Sequence, residues 1–100
     1  MKARFILDAR LKPGKSEELL AAYDALASRV SQGVPGHIAH QLCQALDDPE
    51  RWTITSEWED VESAQDWLGS PEHHELIGRL RGLWSEAEPL TYEVRVETRH

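Results

Sequence analysis

The apolar positions of this chain change period several times, and each change marks an element. Ala3, Phe5, Leu7, Ala9 and Leu11 alternate with Arg4, Asp8 and Arg10. A period of two predicts a half-buried strand, and Pro13-Gly14 stops it. Leu19, Leu20, Tyr23, Leu26, Ala27 and Val30 then recur at helical spacing. Ser16 is the candidate N-cap, and Glu17 and Glu18 suit the positive end of the helix dipole. Gly33-Val34-Pro35-Gly36 breaks this helix. His37 to Leu46 reads as a second strand with Ile38, His40, Leu42, Gln44 and Leu46 on one face. Asp47-Asp48-Pro49-Glu50 is a turn, so Arg51 to Trp58 is the hairpin partner, with Trp52, Ile54, Ser56 and Trp58 on one face. Asp60 can cap a short helix that turns Val61, Ala64, Trp67 and Leu68 inward before Gly69 ends it. Ser70-Pro71-Glu72 restarts a helix with an N-cap, a proline and an acid. The stripe His73, Leu76, Ile77, Leu80, Leu83 and Trp84 carries that helix to Trp84. After Pro89 a last strand sets Leu90, Tyr92, Val94 and Val96 against Glu93, Arg95 and Glu97.

The order is β-α-β-β-α-β with the second helix in two pieces, a ferredoxin-like α+β fold on an antiparallel sheet. Residues 1–100 make one domain. Helices on one sheet face leave the other face to be covered. In so small a chain the natural cover is a second copy, which predicts a homodimer.

The formal net charge of −7 argues against a nucleic-acid partner or an anionic membrane, since both need a basic patch. No apolar stretch is long enough to span a membrane, and the alternating N-terminus has no signal-peptide core. Cys43 is the only cysteine. A cytoplasmic protein is the expectation. Cys43 has no neighbouring activator and reads as a small buried hydrophobe.

No metal motif stands out. His37 and His40 are three apart on a strand and should face opposite ways, while His73 and His74 diverge by about 100° on a helix. No glycine-rich phosphate loop precedes a helix. His40 lies on an apolar strand face between Ile38 and Leu42, and His73 heads the apolar stripe of the last helix. Both should point into the space between sheet and helices, where an imidazole can exchange protons near neutral pH. The plainer alternative is a hydrogen-bonded core histidine. His37, His74 and His100 are expected in solvent. Four tryptophans fill a core by default, but four on inward faces also suit a cavity for a flat aromatic ligand. Trp67 and Trp52 are placed at that cavity, Trp58 and Trp84 in structural roles, and Tyr92, inward on the last strand, supplies a hydroxyl.

The Leu11-Lys12-Pro13-Gly14 turn, the Pro35-Gly36 strand entry, the Asp48-Pro49 hairpin, Trp58, Trp67 and Ser70-Pro71-Glu72-His73 occur in one order and spacing. Together they resemble the antibiotic biosynthesis monooxygenase family of dimeric α+β barrels. That family includes cofactor-free oxygenases that turn polyketide anthrones into quinones, and haem-degrading enzymes. The haem-degrading branch has an asparagine on the first strand and an iron-binding histidine after its tryptophan. Leu7 and Ile77 stand at those positions, so the resemblance implies no haem and no other cofactor. The anthrone oxygenases keep the tryptophan at Trp67 and carry an asparagine where Ser63 stands.

The resemblance thus implies a cofactor-independent monooxygenase acting on an aromatic, polyketide-like phenol or anthrone in secondary-metabolite biosynthesis. His73 or His40 would be the base. Trp67 and Trp52 would pack on the rings, and Ser63, Tyr92, Leu7 and Ile77 would complete the substrate site. Two other classes fit the same pocket: a non-oxidative polyketide cyclase or aromatase, and a noncatalytic homodimer that binds a small aromatic ligand.

Overall fold

The computed structural model describes all 100 residues. In chain order the elements are β1 (Ala3–Leu11), α1 (Ser16–Ser31), β2 (His37–Gln44), β3 (Arg51–Trp58), α2 (Val61–Leu68), α3 (Pro71–Arg81) and β4 (Trp84–Glu93). The strands form one antiparallel sheet in the order β2-β3-β1-β4. This is the ferredoxin-like α+β arrangement, with its second helix in two pieces. No helix is long and apolar enough to cross a membrane.

Register decides which face each side chain takes. Leu7 of the central strand β1 pairs with Ile54 on one side and Pro89 on the other, so all three share a face. Ala3, Ala9, Leu11, Trp52, Ile54, Ser56 and Trp58 on that face are buried. The cover comes from Leu19, Leu26 and Val30 of α1, Ala64 and Trp67 of α2, and His73 and Leu80 of α3. The opposite face carries Arg4, Ile6, Asp8, Leu90 and Tyr92 and receives no helix of this chain.

Two helix starts follow their sequence signals. The Asp60 carboxylate accepts from the Ser63 N–H at 2.7 Å, and Ser70 Oγ accepts from the His73 N–H at 3.1 Å behind Pro71. Each such cap contributes about 1 kcal/mol. At α1 the pattern differs: Ser16 is the first helical residue, and Lys15 holds the cap position with no side-chain bond.

The structure departs from simple periodicity in four places. First, the β2–β3 register shifts between His37 and Ala39. The extra residue of this bulge turns His37 and His40 to the same face, with ring centroids 6.0 Å apart. His37 is therefore half-buried rather than solvated, and its Nε2 is buried without a partner. Second, α3 stops at Arg81 with Gly82 as its C-cap, so Trp84 opens a strand instead of closing a helix. Third, β4 begins well before Pro89 and contains it. β4 is an edge strand, where a missing N–H is tolerated. Its register sends Ala87 and Pro89 toward the helices and Tyr92 outward, 48% exposed, while Val94 and Val96 lie beyond the strand. Fourth, Cys43 is exposed rather than buried.

Gly36 carries the chain from α1 into the bulged strand at φ +80°, and a Cβ there would collide with Ser63 Cβ and Oγ on α2. Gly14 has a similar φ of +76° but open space around it. Gly36→Ala should therefore cost roughly 2–4 kcal/mol, from backbone strain plus overpacking, against about 1 kcal/mol for Gly14→Ala. Urea unfolding of both variants measures this. Equal losses would mean that Ser63 yields freely and the close approach is not a constraint.

Candidate functional site

Beyond Trp84, β4 presents Ala87 and Pro89 to the helix layer, and their small side chains leave space that larger ones would fill. The result is a cavity of about 290 Å³ between sheet and helices. Phe5, Leu7 and Ile54 form its floor, Trp67, Leu68 and Ile77 its helical roof, and Trp84 one wall. Fifteen residues of the chain are buried, and only two of them, Ser56 and His73, are polar. Both line this cavity, and so does His40. The polar atoms of the interior are thus concentrated where a ligand would sit.

Of the residues that sequence assigns to the site, His73, His40, Trp67, Leu7 and Ile77 come together here. Trp52, Ser63 and Tyr92 lie elsewhere. Trp52 is buried near the β2–β3 hairpin, where its Nε1–H donates to the Pro49 carbonyl at 3.1 Å. Ser63 packs on Gly36 beside a shallow depression with Arg29 and Asp66. Tyr92 is on the open sheet face.

Trp84, expected in a structural role, lines the cavity instead, and so do Ser56 and Arg81, to which sequence assigns no site role. A signal for Trp84 was present: Gly82 directly follows the basic turn Arg79–Arg81, a helix-stop pattern. The four indoles divide cleanly. Trp52 and Trp58 donate inside the protein, the latter to Ser56 Oγ at 2.8 Å. The N–H groups of Trp67 and Trp84, the two on the cavity, have no partner in the protein.

Trp67 is held from two sides. The Arg29 guanidinium lies 5.5 Å from its ring centroid and also pairs with Glu72 at the start of α3. The His73 ring meets Trp67 edge-on at 5.6 Å. His73 sits at the head of α3 because Ser70 caps that helix, and its Nδ1 lies 3.1 Å from the Leu68 carbonyl. A carbonyl can only accept, so Nδ1 carries the hydrogen and the neutral ring keeps its lone pair on Nε2. That Nε2 has no protein partner and remains accessible.

His40 is arranged differently. Its Nδ1 lies 2.8 Å from the Tyr23 hydroxyl. Burial pushes the Tyr23 pKa up and keeps the phenol protonated, so it can donate to Nδ1 and leave an N–H on His40 Nε2. Burial lowers the His40 pKa to about 4, with His37 and His73 adding repulsion. His73 is lowered as well, chiefly by burial and then by His74 and Arg81, against the opposing Leu68 hydrogen bond. At neutral pH the cavity therefore holds two uncharged imidazoles, one offering a lone pair and the other able to offer an N–H. No group of three or more His, Cys, Asp or Glu side chains gathers to hold a metal ion.

These shifts predict acid sensitivity. The unfolded chain binds protons on its histidines below pH about 6.5, while folded His40, His73 and His37 resist them. More protons on the unfolded state means that stability falls as pH falls through this window. Thermal unfolding between pH 7.5 and 5 should show a decreasing Tm, and His40→Gln should flatten the slope. An unchanged slope in that variant would place the acid sensitivity on other groups.

Comparison with known proteins agrees with this architecture. The family model described as antibiotic biosynthesis monooxygenase matches residues 5–79. The chain is 38% identical over 97 residues to protein SchA of Streptomyces halstedii, an alignment covering 97% of this chain and 25% of that protein. It is 33% identical over 84 residues to polyketide synthase CurD of Streptomyces cyaneus, covering 84% of this chain and 22% of that protein. The chain thus spans about a quarter of the length of these relatives. In fold it is similar to SnoaB, a cofactor-independent oxygenase from Streptomyces nogalater, with a TM-score of 0.83 at 18% identity over 99% of this chain and 98% of the other. With three-quarters of its length matched by one family model, the chain belongs to the antibiotic biosynthesis monooxygenase family.

Proposed function

We propose that the cavity binds a flat, electron-rich, polyketide-like phenol or anthrone and that the protein oxygenates it without a cofactor. The observation that carries this reading is the uncharged His73 facing an apolar cavity walled by two indoles. Two relatives support it: CurD is a polyketide synthase by name, and SnoaB is a cofactor-independent oxygenase with the same fold.

The chemistry would run as follows. His73 Nε2 takes a proton from an activated CH₂ of the substrate, and the His40 N–H and free indole N–H groups stabilise the anion. The anion passes one electron to O₂. The resulting radical and superoxide combine, and proton return from His73 gives a hydroperoxide. Loss of water leaves a carbonyl. Overall, CH₂ plus O₂ becomes C=O plus water, with the substrate as electron donor. The apolar lining keeps bulk water from the reactive intermediates.

A second reading draws on the length of the relatives. A unit that forms about a quarter of a larger protein can serve as one module among others. In that case the same imidazoles would promote a non-oxidative ring closure, or the cavity would only hold a ligand for a neighbouring enzyme. Oxygen consumption separates oxygenation from both alternatives, and anaerobic turnover identifies ring closure.

With a panel of anthrones and polyphenols, stoichiometric oxygen uptake should accompany product. His73→Gln should keep the fold and lower kcat by about 10²–10⁴. Trp67→Phe should raise KM more than it lowers kcat, because indole area is lost while an aromatic face remains. Full activity in His73→Gln would move the base to His40.

The open sheet face, with Ile6, Leu90 and the exposed Tyr92, supports the same reading at the level of assembly. A homodimer through this face would cover it. Sedimentation at micromolar concentration should give twice the monomer mass of 11.4 kDa, and Leu90→Glu should shift the species toward monomer. A wild-type monomer under these conditions would refute the dimer.

A further inference from the structure

The cavity contains one ionised side chain. His40 and His73 are neutral near pH 7, and no aspartate or glutamate lines the space, but Arg81 does. Arg81 is the last residue of α3 and exposed, so it stands at the rim rather than in the interior. Arginines 10, 29, 51, 95 and 99 are held by carboxylates. Arg81 takes part in no ion pair, although acids outnumber bases 18 to 11. Arg4 and Arg79 are also unpaired, but neither touches the cavity. An unpaired guanidinium at the rim of an apolar slot is a geometry for an amphiphile with a flat body and a single negative end.

We propose that Arg81 receives a carboxylate of the ligand, so that the cavity selects flat, fused aromatic molecules bearing a carboxylate on one edge. This deepens the aromatic-ligand reading of the cavity and rests on it. Size and chemistry agree. A cavity of roughly 150 Å³ holds benzene, so one of about 290 Å³ suits two or three fused rings. The ring system lies against Trp67 and Trp84, while the carboxylate stays at the rim, half in water, and avoids the cost of burying a charge. Guanidinium and carboxylate match as planar forks with two parallel N–H···O bonds. The net charge of −7 disfavours an anion at long range, so acceptance of a carboxylate depends on this local cation.

An arginine at a helix C-terminus also stabilises the helix, so loss of activity in a variant would not separate the two roles. Binding does. The probes are anthracene-2-carboxylate and its neutral match, anthracene-2-carboxamide, titrated into the full chain by calorimetry at pH 7.5. The wild type should bind the carboxylate about 10- to 100-fold more tightly than the amide. Arg81→Gln should abolish that preference and leave amide affinity unchanged, and Arg81→Lys should restore part of it. Equal affinity of the wild type for both probes would overturn the role of Arg81 while keeping the cavity as an aromatic site. A parallel loss of both affinities in Arg81→Gln would make the residue structural. Failure of both probes to bind would overturn the aromatic-site reading together with this proposal.

Discussion

Everything in this molecule depends on the register of β1. It is a central strand, paired with β3 on one side and β4 on the other, and its parity sets both sheet faces at once. With Leu7 beside Ile54 and Pro89, the apolar set of β1 meets Trp52, Ile54 and Trp58 under the helices. A one-residue slip would present Arg4, Asp8 and Arg10 to the same helices and leave charges buried without water. The same register puts the small side chains of Ala87 and Pro89 under the helix layer beyond Trp84. The cavity is therefore a consequence of strand pairing, with its floor from β1 and β3 and its empty volume from the small residues of β4.

Within that space desolvation outweighs every other electrostatic influence on the imidazoles. The Leu68 carbonyl favours a protonated His73, yet burial and nearby positive charge prevail. His40 has no carboxylate nearby to hold a proton, and the bulge in β2 sets His37 close to it. The bulge is thus more than a local irregularity. It brings a third imidazole beside His40 and raises the cost of charging that ring.

Most of the fold was legible because it follows from periodicity. Alternation marked β1 and β3, the Asp60 and Ser70 caps marked α2 and α3, and the element order specified the sheet. Of the site, His73, His40 and Trp67 were legible for the same reason, as chemistry-bearing residues on apolar stripes. The misses share a physical cause. Period two assumes an unbroken ladder, and the β2 bulge adds a residue, which reversed the expected relation of His37 to His40. Period 3.6 continues through Leu83 and Trp84 because helix spacing and a tight turn into a strand can agree over a few residues. Only Gly82 distinguishes them. Pro89 read as a strand boundary since a proline removes a ladder donor, but at a sheet edge that donor is not needed. Placing the strand start after Pro89 reversed the facing of Tyr92 and hid Trp84 and Ala87 from the site.

These misses fall in an informative place. The family model matches residues 5–79, a span that contains His40, Ser56, Trp67 and His73. Arg81, Trp84, Ala87 and Pro89 lie past its end, yet they supply the rim, one wall and the open volume of the same cavity. The groups able to move a proton and the groups that shape the space thus sit on different stretches of chain. α3 joins the two, carrying His73 at its capped head and Arg81 at its last turn. A helix rises 1.5 Å per residue, so the eight-residue separation sets the Cα atoms of His73 and Arg81 about 12 Å apart along the axis. That span can take a fused-ring body with reactive carbon at one end and charge at the other. Changes in β4 can then alter which molecules enter without disturbing the tautomer of His73, because its Nδ1 bond is made to α2 and not to the sheet. The shape of the space and the hydrogen bond that orients His73 thus rest on different elements, so the lining from β4 can vary without moving that imidazole.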